Sequence, residues 1–363
     1  MTAAPSPMRA LIVTHFPSPY QVELFNEAER QRPGVVKVMY LFRKVSTRSW
    51  SGVPISHAHE FLEDGAATGA ALAEIRDADC VIFNYFNDRR AAQLIRARAA
   101  TGRPWCFWGE RPGYRFPWLA WFVRLARLTA LRSEDQPIWG IGQWAVDAYR
   151  AEFGNTRSYL NLPYYSNLSR FESLEPAYSA DHVTFLFSGS LSYRKGVDLL
   201  AVAFFRISAE NPRVRLMIMG EGPFESHLRS LLDSNDRVEW VGFKDWDQLP
   251  AVYERAHVLC VPSRHDGWAL VVPEGLAAGL PTISTTRTGA ALDLIEPNSN
   301  GWLIPGGDGE ALYRAMKQAA SLSETDWLAM SRSARSRVAD HSLANGASRL
   351  LQGIAGVAAG ARR

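Results

Sequence analysis

The chain has 363 residues, 40 Lys+Arg against 37 Asp+Glu, and a net charge of +3. At about 100–200 residues per domain, this length predicts two or three domains. A composition 47% apolar and 21% charged excludes a disordered or collagen-like chain, and the small net charge argues against nucleic acid as a partner. The charge is unevenly spread, +6 over residues 1–170 and −3 over residues 171–363, which places any basic docking surface in the front half. Cys80, Cys106 and Cys260 are odd in number and far apart, fitting neither a disulfide framework nor a zinc site. A reducing, cytoplasmic compartment follows. MTAAPSPMRALIVTHF lacks a secretory pattern, and no run reaches the ~18 apolar residues of a membrane span. The expectation is a soluble or peripheral protein.

Short apolar runs alternate with amphipathic helical patterns in two blocks, the grammar of parallel sheets covered by helices. In the first, Met8–Thr14 reads as a buried strand, followed by the loop HFPSPYQ, a helix Val22–Arg30 and a strand Val35–Phe42. Cys80–Phe83 and Trp105–Trp108 are further strands, with the arginine-rich helix Arg89–Ala99 between them and Ile138–Gly140 as the last strand. A boundary fits within Leu160–Phe171, giving a first domain 1–165, a second domain 166–340, and a C-terminal helix or tail 341–363 expected to pack back toward the first domain. The second block runs through strands Val183–Ser188, Val214–Met219, Val238–Val241, His257–Pro262 and Pro281–Ser284. The intervening helices are Val197–Ile207, one ending near Leu232, Trp246–Arg255 and Glu274–Ala278. The fold class is α/β, with two doubly wound, Rossmann-like domains facing a cleft.

Ligands of open parallel sheets bind beyond the C-terminal strand ends, so the loops there carry the argument. In FSGSLSYRKGVDLL (187–200), a strand ends at Gly189, and Arg194 and Lys195 precede a helix that begins near Gly196. A helix N-terminus beside a lysine favours phosphate; a glycine turn with solvated basic residues is the alternative. MGEGP (219–223) and VGF (241–243) are weak turn signals alone. VPSRHDGWALVVPEGLAAGLPTIST (261–285) is the strong one, with Asp266 and Gly267 in a polar loop and Glu274 at a small-residue helix. A carboxylate in an apolar setting needs a partner. The hydroxyls of a ribose or hexose would serve, and simple capping of the helix by Glu274 is the other reading.

SRHDGWALVVPEGLAAGLP resembles the E-x7-E region of the family 4 glycosyltransferases, with Asp266 and Glu274 as the two acids. SGSLSYRKGVDLL, MIMGEGP, VGF with the helix containing Leu249 and Tyr253, NGWLIPGGD (300–308) and NLPYYSNLSRF resemble further elements of that family in order. The resemblance implies a GT-B fold and a retaining hexosyltransferase that uses a UDP- or GDP-sugar, with neither metal nor resident cofactor. Such an enzyme would glycosylate a hydroxyl of a glycan or lipid-linked acceptor in bacterial-type polysaccharide or glycoconjugate assembly. Carried over, Lys195 holds the leaving diphosphate, Glu274 the donor ribose, and Asp266 with the amides of Gly267, Trp268 and Ala269 the sugar and phosphates. Phe243 flanks the base, and Gly189, Ser190, Arg194, Gly220 and Leu270 complete the donor site. The chain departs from the family pattern in three places. Ser190 stands where many members have arginine, Asp266 where they have glutamate, and FPSPYQ where they have a double glycine.

In the front half, Glu110 in CFWGERPGYRFP lies near the place where relatives carry a histidine, and is a catalytic candidate for orienting sugar or acceptor. Arg111, His15 and Tyr20 are acceptor-binding candidates; a surface ion pair for Glu110 and a structural role for His15 are the plain alternatives. Residues 111–133 contain no acid. Trp118, Trp121, Phe122, Leu125 and Leu128 share an apolar face with Arg124 and Arg127 nearby, the pattern of an interfacial helix. With Arg89, Arg90, Arg96, Arg98 and Arg103, residues 111–132 are expected to dock on an anionic membrane at its inner face, or else to pack in the core. Two rival functions are a catalytically silent GT-B-fold partner subunit and a sugar-nucleotide epimerase of the same fold.

Overall fold

The computed structural model describes residues 9–43, 52–62, 69–112, 122, 129–133 and 135–360. The chain divides into two compact units. One runs up to Ser166 and includes the segment from Leu343; the other is Asn167–Ser342.

Among the described residues the first unit has seven strands: β1 (Ala10–Thr14), β2 (Val36–Tyr40), β3 (Ala58–Phe61), β4 (Cys80–Phe83), β5 (Trp105–Gly109), β6 (Ile138–Gly140) and β7 (Tyr159–Asn161). They pair in parallel in the order β3-β2-β1-β4-β5-β6-β7. The second unit has β8 (Val183–Ser188), β9 (Val214–Met219), β10 (Val238–Gly242), β11 (Val258–Val261), β12 (Thr282–Thr285) and β13 (Gly301–Ile304), parallel in the order β10-β9-β8-β11-β12-β13. Runs such as VTFLFS in β8 and CVIF in β4 are buried at every position, as expected of parallel strands with both faces covered. Both orders reverse direction beside the first strand, between β1 and β4 and between β8 and β11. In doubly wound sheets that reversal opens the ligand crevice.

The structure adds elements that the apolar pattern does not show. β3 and β7 have no buried position. The helices Gly69–Asp77 and Gln143–Phe153 and strand β13 are also additional. The helix expected over Trp246–Arg255 is confined to Leu249–Tyr253. Glu274 lies at the fourth residue of the helix Val271–Ala277 rather than at its start.

The helix Arg89–Ala99 corrects one expectation. Asp88 caps it by accepting from the Arg90 amide, but Arg98 points inward and is fully buried. Its guanidinium donates to the carbonyls of Ile75, Arg76, Ala78 and Pro104 at 2.7–3.0 Å. It therefore closes the orphan carbonyls that follow the helix Gly69–Asp77 and adds nothing to a basic surface. The C-terminal helix Leu343–Gly360 packs on the helix Pro19–Gln31 within the first unit. Gln31 Nε2 donates to the Ala344 carbonyl at 2.8 Å, and Ser348 Oγ lies 2.9 Å from Gln31 Oε1.

Candidate functional site

At the reversal point of the second unit, the loops after β8 and β11 are brought together by glycines. Gly196 sits in the left-handed region (φ +71°), and a Cβ there would lie 2.0 Å from the Pro262 carbonyl oxygen. Gly220, after β9, has φ +130°, and its Cβ would lie 1.9 Å from the Gly189 oxygen. Only glycine fits such approaches. The Arg264 amide donates to the Arg194 carbonyl at 2.8 Å, tying the two loops together. Lys195 ends the short 3₁₀ turn Tyr193–Lys195, immediately before the helix Val197–Glu210.

This clamp brings Lys195 and Asp266, 71 residues apart, into direct contact. Lys195 Nζ donates to Asp266 Oδ2, and their side chains are only 13% and 12% exposed. Arg194 Nη1 lies 3.7 Å from the same oxygen and donates to the His265 carbonyl at 2.9 Å. Burial alone would push the Asp266 carboxyl up, but the Lys195 and Arg194 charges outweigh it and hold the group below its ordinary value. The Asp266 backbone is fixed as well: its amide donates to the Arg287 carbonyl at 2.8 Å, and its carbonyl accepts from Gly289.

Glu274 is half-buried and accepts from the Tyr253 hydroxyl at 3.3 Å. Tyr253 is fully buried, so its hydroxyl is held against the carboxylate from the protein interior. Ala269 adopts φ +72°, an uncommon conformation for a residue with a Cβ. The Trp268 side chain turns inward, 2% exposed and stacked on His341 at 5.8 Å, so only its backbone can face a ligand. Gly189, Arg194, Lys195, Gly220, Asp266, Gly267, Ala269 and Leu270 thus sit at the C-terminal ends of β8, β9 and β11 or in the loops beyond them, with Glu274 in the helix that follows β11. Ser190 is exposed beside them, and Phe243 lies one residue past β10, exposed. Motif spacing did not reveal Asp198 and Arg264, nor a role for Tyr253. Each acts through a partner at least 21 residues away.

The corresponding reversal point of the first unit is lined differently. His15 follows β1 and stacks on Tyr85, which follows β4, at 4.2 Å and 12°, with Phe42 edge-on at 5.1 Å. Burial lowers the His15 pKa, opposed by Asp88. Beneath lies a polar network: Gln21 Nε2 donates to Asn84 Oδ1 at 2.7 Å, Thr14 Oγ1 donates to it at 3.0 Å, and Ser18 Oγ donates to Gln21 Oε1 at 3.0 Å. The Tyr20 and Tyr164 rings meet at 4.7 Å, and the Tyr164 hydroxyl hydrogen-bonds both Tyr20 and Glu110. Tyr149 donates to the Glu110 carbonyl at 2.7 Å, and Arg111 lies 4.3 Å over the Trp144 ring. Of the expected interfacial helix, Trp118, Trp121, Arg124, Leu125, Arg127 and Leu128 lie outside the described residues. Among the described residues, no helix is long and apolar enough to cross a membrane.

Comparison with known proteins bears on this arrangement. WcaL of Escherichia coli, a glycosyltransferase assigned to colanic acid biosynthesis, is 31% identical over 148 residues, 38% of this chain. The gpi3 subunit of the Schizosaccharomyces pombe phosphatidylinositol N-acetylglucosaminyltransferase is 36% identical over 110 residues, 30% of this chain. The matched stretches span only 36% and 24% of those relatives' own lengths. Over nearly the whole chain the likeness is one of fold. Anabaena HepE, solved with UDP-glucose, superposes with a TM-score of 0.74 at 13% identity, covering 96% of this chain and all of HepE. The two Rossmann-like units have the GT-B fold. Within them, residues 174–336, which lie in the second unit, match the family described as Glycosyl transferases group 1.

Proposed function

We propose that the protein is a retaining glycosyltransferase of the family 4 type. It moves a hexose-type sugar from a UDP- or GDP-sugar to a hydroxyl of a glycan or lipid-linked acceptor. The observation that carries this reading is the Lys195–Asp266 pair at the β8/β11 reversal, with Arg194 in reach and glycine-bare backbone around it. On donor binding, the diphosphate takes the place of Asp266 as the main partner of Lys195. Asp266 is then free to accept from sugar hydroxyls, as Glu274 does from the ribose. As the bond from the anomeric carbon to the phosphate oxygen breaks, Lys195 and Arg194 stabilise the negative charge that develops on the diphosphate. The acceptor oxygen bonds the anomeric carbon on the same face and its proton passes to the departing phosphate, a task mainly of positioning. All positive charge in this scheme comes from side chains, and no metal is invoked.

The likeness to HepE, solved with UDP-glucose, supports a nucleotide-sugar donor, and the likeness to a colanic acid biosynthesis glycosyltransferase and a phosphatidylinositol N-acetylglucosaminyltransferase subunit supports glycan or lipid-linked acceptors. The basic first half of the sequence suits a peripheral position at the inner face of a membrane. Purified protein offered UDP- and GDP-sugars is expected to release the matching nucleoside diphosphate from one of them. Neither turnover nor nucleotide binding with any donor would sink the enzyme reading in favour of a silent partner subunit.

A further inference from the structure

Asp198 is an acid in the first turn of the helix Val197–Glu210, three residues past Lys195. A carboxylate there stabilises the helix but repels an anion bound at its N-terminus. Arg264, on the loop after β11, answers that charge. Its Nη1 and Nη2 donate to Asp198 Oδ1 and Oδ2 at 2.6 and 2.7 Å, the two-pronged geometry that makes guanidinium–carboxylate pairs strong. The side chains are 16% and 23% exposed, so solvent screens the pair weakly. The same guanidinium donates to the Tyr193 carbonyl at 2.8 Å and lies 3.8 Å over the Tyr193 ring. That ring, 54% exposed, has Phe224 at 6.0 Å as a further neighbour. With the Arg264 amide on the Arg194 carbonyl at 2.8 Å, one residue grips the turn carrying Arg194 and Lys195 through its backbone, a carbonyl and a ring.

We infer that Arg264 is a positioning residue of the diphosphate site, acting in two ways. It neutralises Asp198 at the helix N-terminus, and it pins the Tyr193–Lys195 turn so that Arg194 and Lys195 face Asp266. The inference rests on the donor-site reading of these loops and gives it a specific electrostatic requirement: an anion docks there tightly only while the Asp198 charge is neutralised. Lysine cannot reproduce the role, because its point charge has no fork to span both carboxylate oxygens and stacks less well on the tyrosine.

The test is calorimetric titration of UDP and GDP into wild-type protein, Arg264→Ala, Arg264→Lys and the double variant Arg264→Ala/Asp198→Asn, with thermal melting of each. Arg264→Ala is expected to weaken the tighter-binding nucleotide by about tenfold, and Arg264→Lys by a smaller factor. Adding Asp198→Asn to Arg264→Ala should recover most of that loss, since the repelling charge is gone. A purely structural arginine would show no such recovery. If Arg264→Ala binds within about twofold of wild type, or if Asp198→Asn restores nothing, the inference falls while the donor site stands. If Arg264→Ala does not fold, Arg264→Lys and the double variant decide. Wild-type protein that binds neither nucleotide removes the donor-site reading itself, and the inference with it.

Discussion

The two units solve one topological problem with different chemistry. Both sheets reverse beside their first strand, so both present a crevice at the same place, yet the linings have little in common. The second unit lines its crevice with Lys195, Arg194, Asp266, Arg264 and Asp198 on loops closed by Gly196 and Gly220. The first lines its crevice with rings, His15 stacked on Tyr85 and Tyr20 tilted against Tyr164, above a neutral network of Thr14, Ser18, Gln21 and Asn84. Charge on bare backbone suits a polyanion, which needs donors and close approach. Rings and amides suit a neutral polyol, which presents apolar faces and many weak donors and acceptors. The strand order supplies the crevice, and the loops decide what enters it.

The sharpest way to break this contrast is to remove the charge. Lys195→Ala should lower turnover by about 10²–10³-fold, the range for losing a main stabiliser of developing negative charge, with the melting temperature little changed; near-normal rates in a steady-state assay would refute the assignment. Glu110→Gln probes the other crevice. Transfer to acceptor should drop by roughly tenfold while nucleotide affinity, measured by titration, stays that of the wild type. A matching loss of nucleotide affinity would erase the division of labour between the units. Tyr253→Phe removes the buried hydroxyl that donates to Glu274. About a threefold rise in donor KM is expected from one lost hydrogen bond, visible in donor-saturation curves, and no change would make the linkage incidental.

The smallest effect is one the units share. His57 in the first and His257 in the second are buried and neutral, each pushed down to about 4, mainly by burial. His57 is held between Asn26 Oδ1 at 2.7 Å and the Tyr40 hydroxyl at 3.0 Å. The unfolded chain binds these protons near 6.5 and the folded chain only near 4. Their contribution is therefore fully present above 6.5 and is lost as pH falls toward 4. Denaturant melts from pH 7 to 4 should show declining stability, and replacing His57 or His257 with Gln should flatten the curve. An unchanged slope in both variants would contradict it.

Most strands legible in the sequence are those with an apolar run buried along all or nearly all of its length. VTFLFS and CVIF are buried throughout and VRLMIM everywhere but Arg215; β10 (VEWVG), with no buried position, is the exception read through its valines, whereas the edge strands β3 (AHEF) and β7 (YLN) carry no apolar run. The helix Gln143–Phe153 starts after Gly142 without a side-chain cap, so the usual start signal is missing. Arg98 misled for a related reason: a lone arginine on an amphipathic helix reads as surface until the carbonyls it closes are seen. At the candidate site, the lysine, the acids and the glycines were readable as spaced motifs. The Arg264–Asp198 and Tyr253–Glu274 contacts were not, because their partners meet only through the fold.

The central claim is that the second unit's crevice is built for a nucleoside diphosphate and the first unit's is not. Titration of UDP and GDP into wild-type protein, Lys195→Ala and Glu110→Gln tests it directly. The account predicts saturable binding of one nucleotide that is lost in Lys195→Ala and kept in Glu110→Gln. Binding that survives Lys195→Ala, or that is lost in Glu110→Gln, would contradict it.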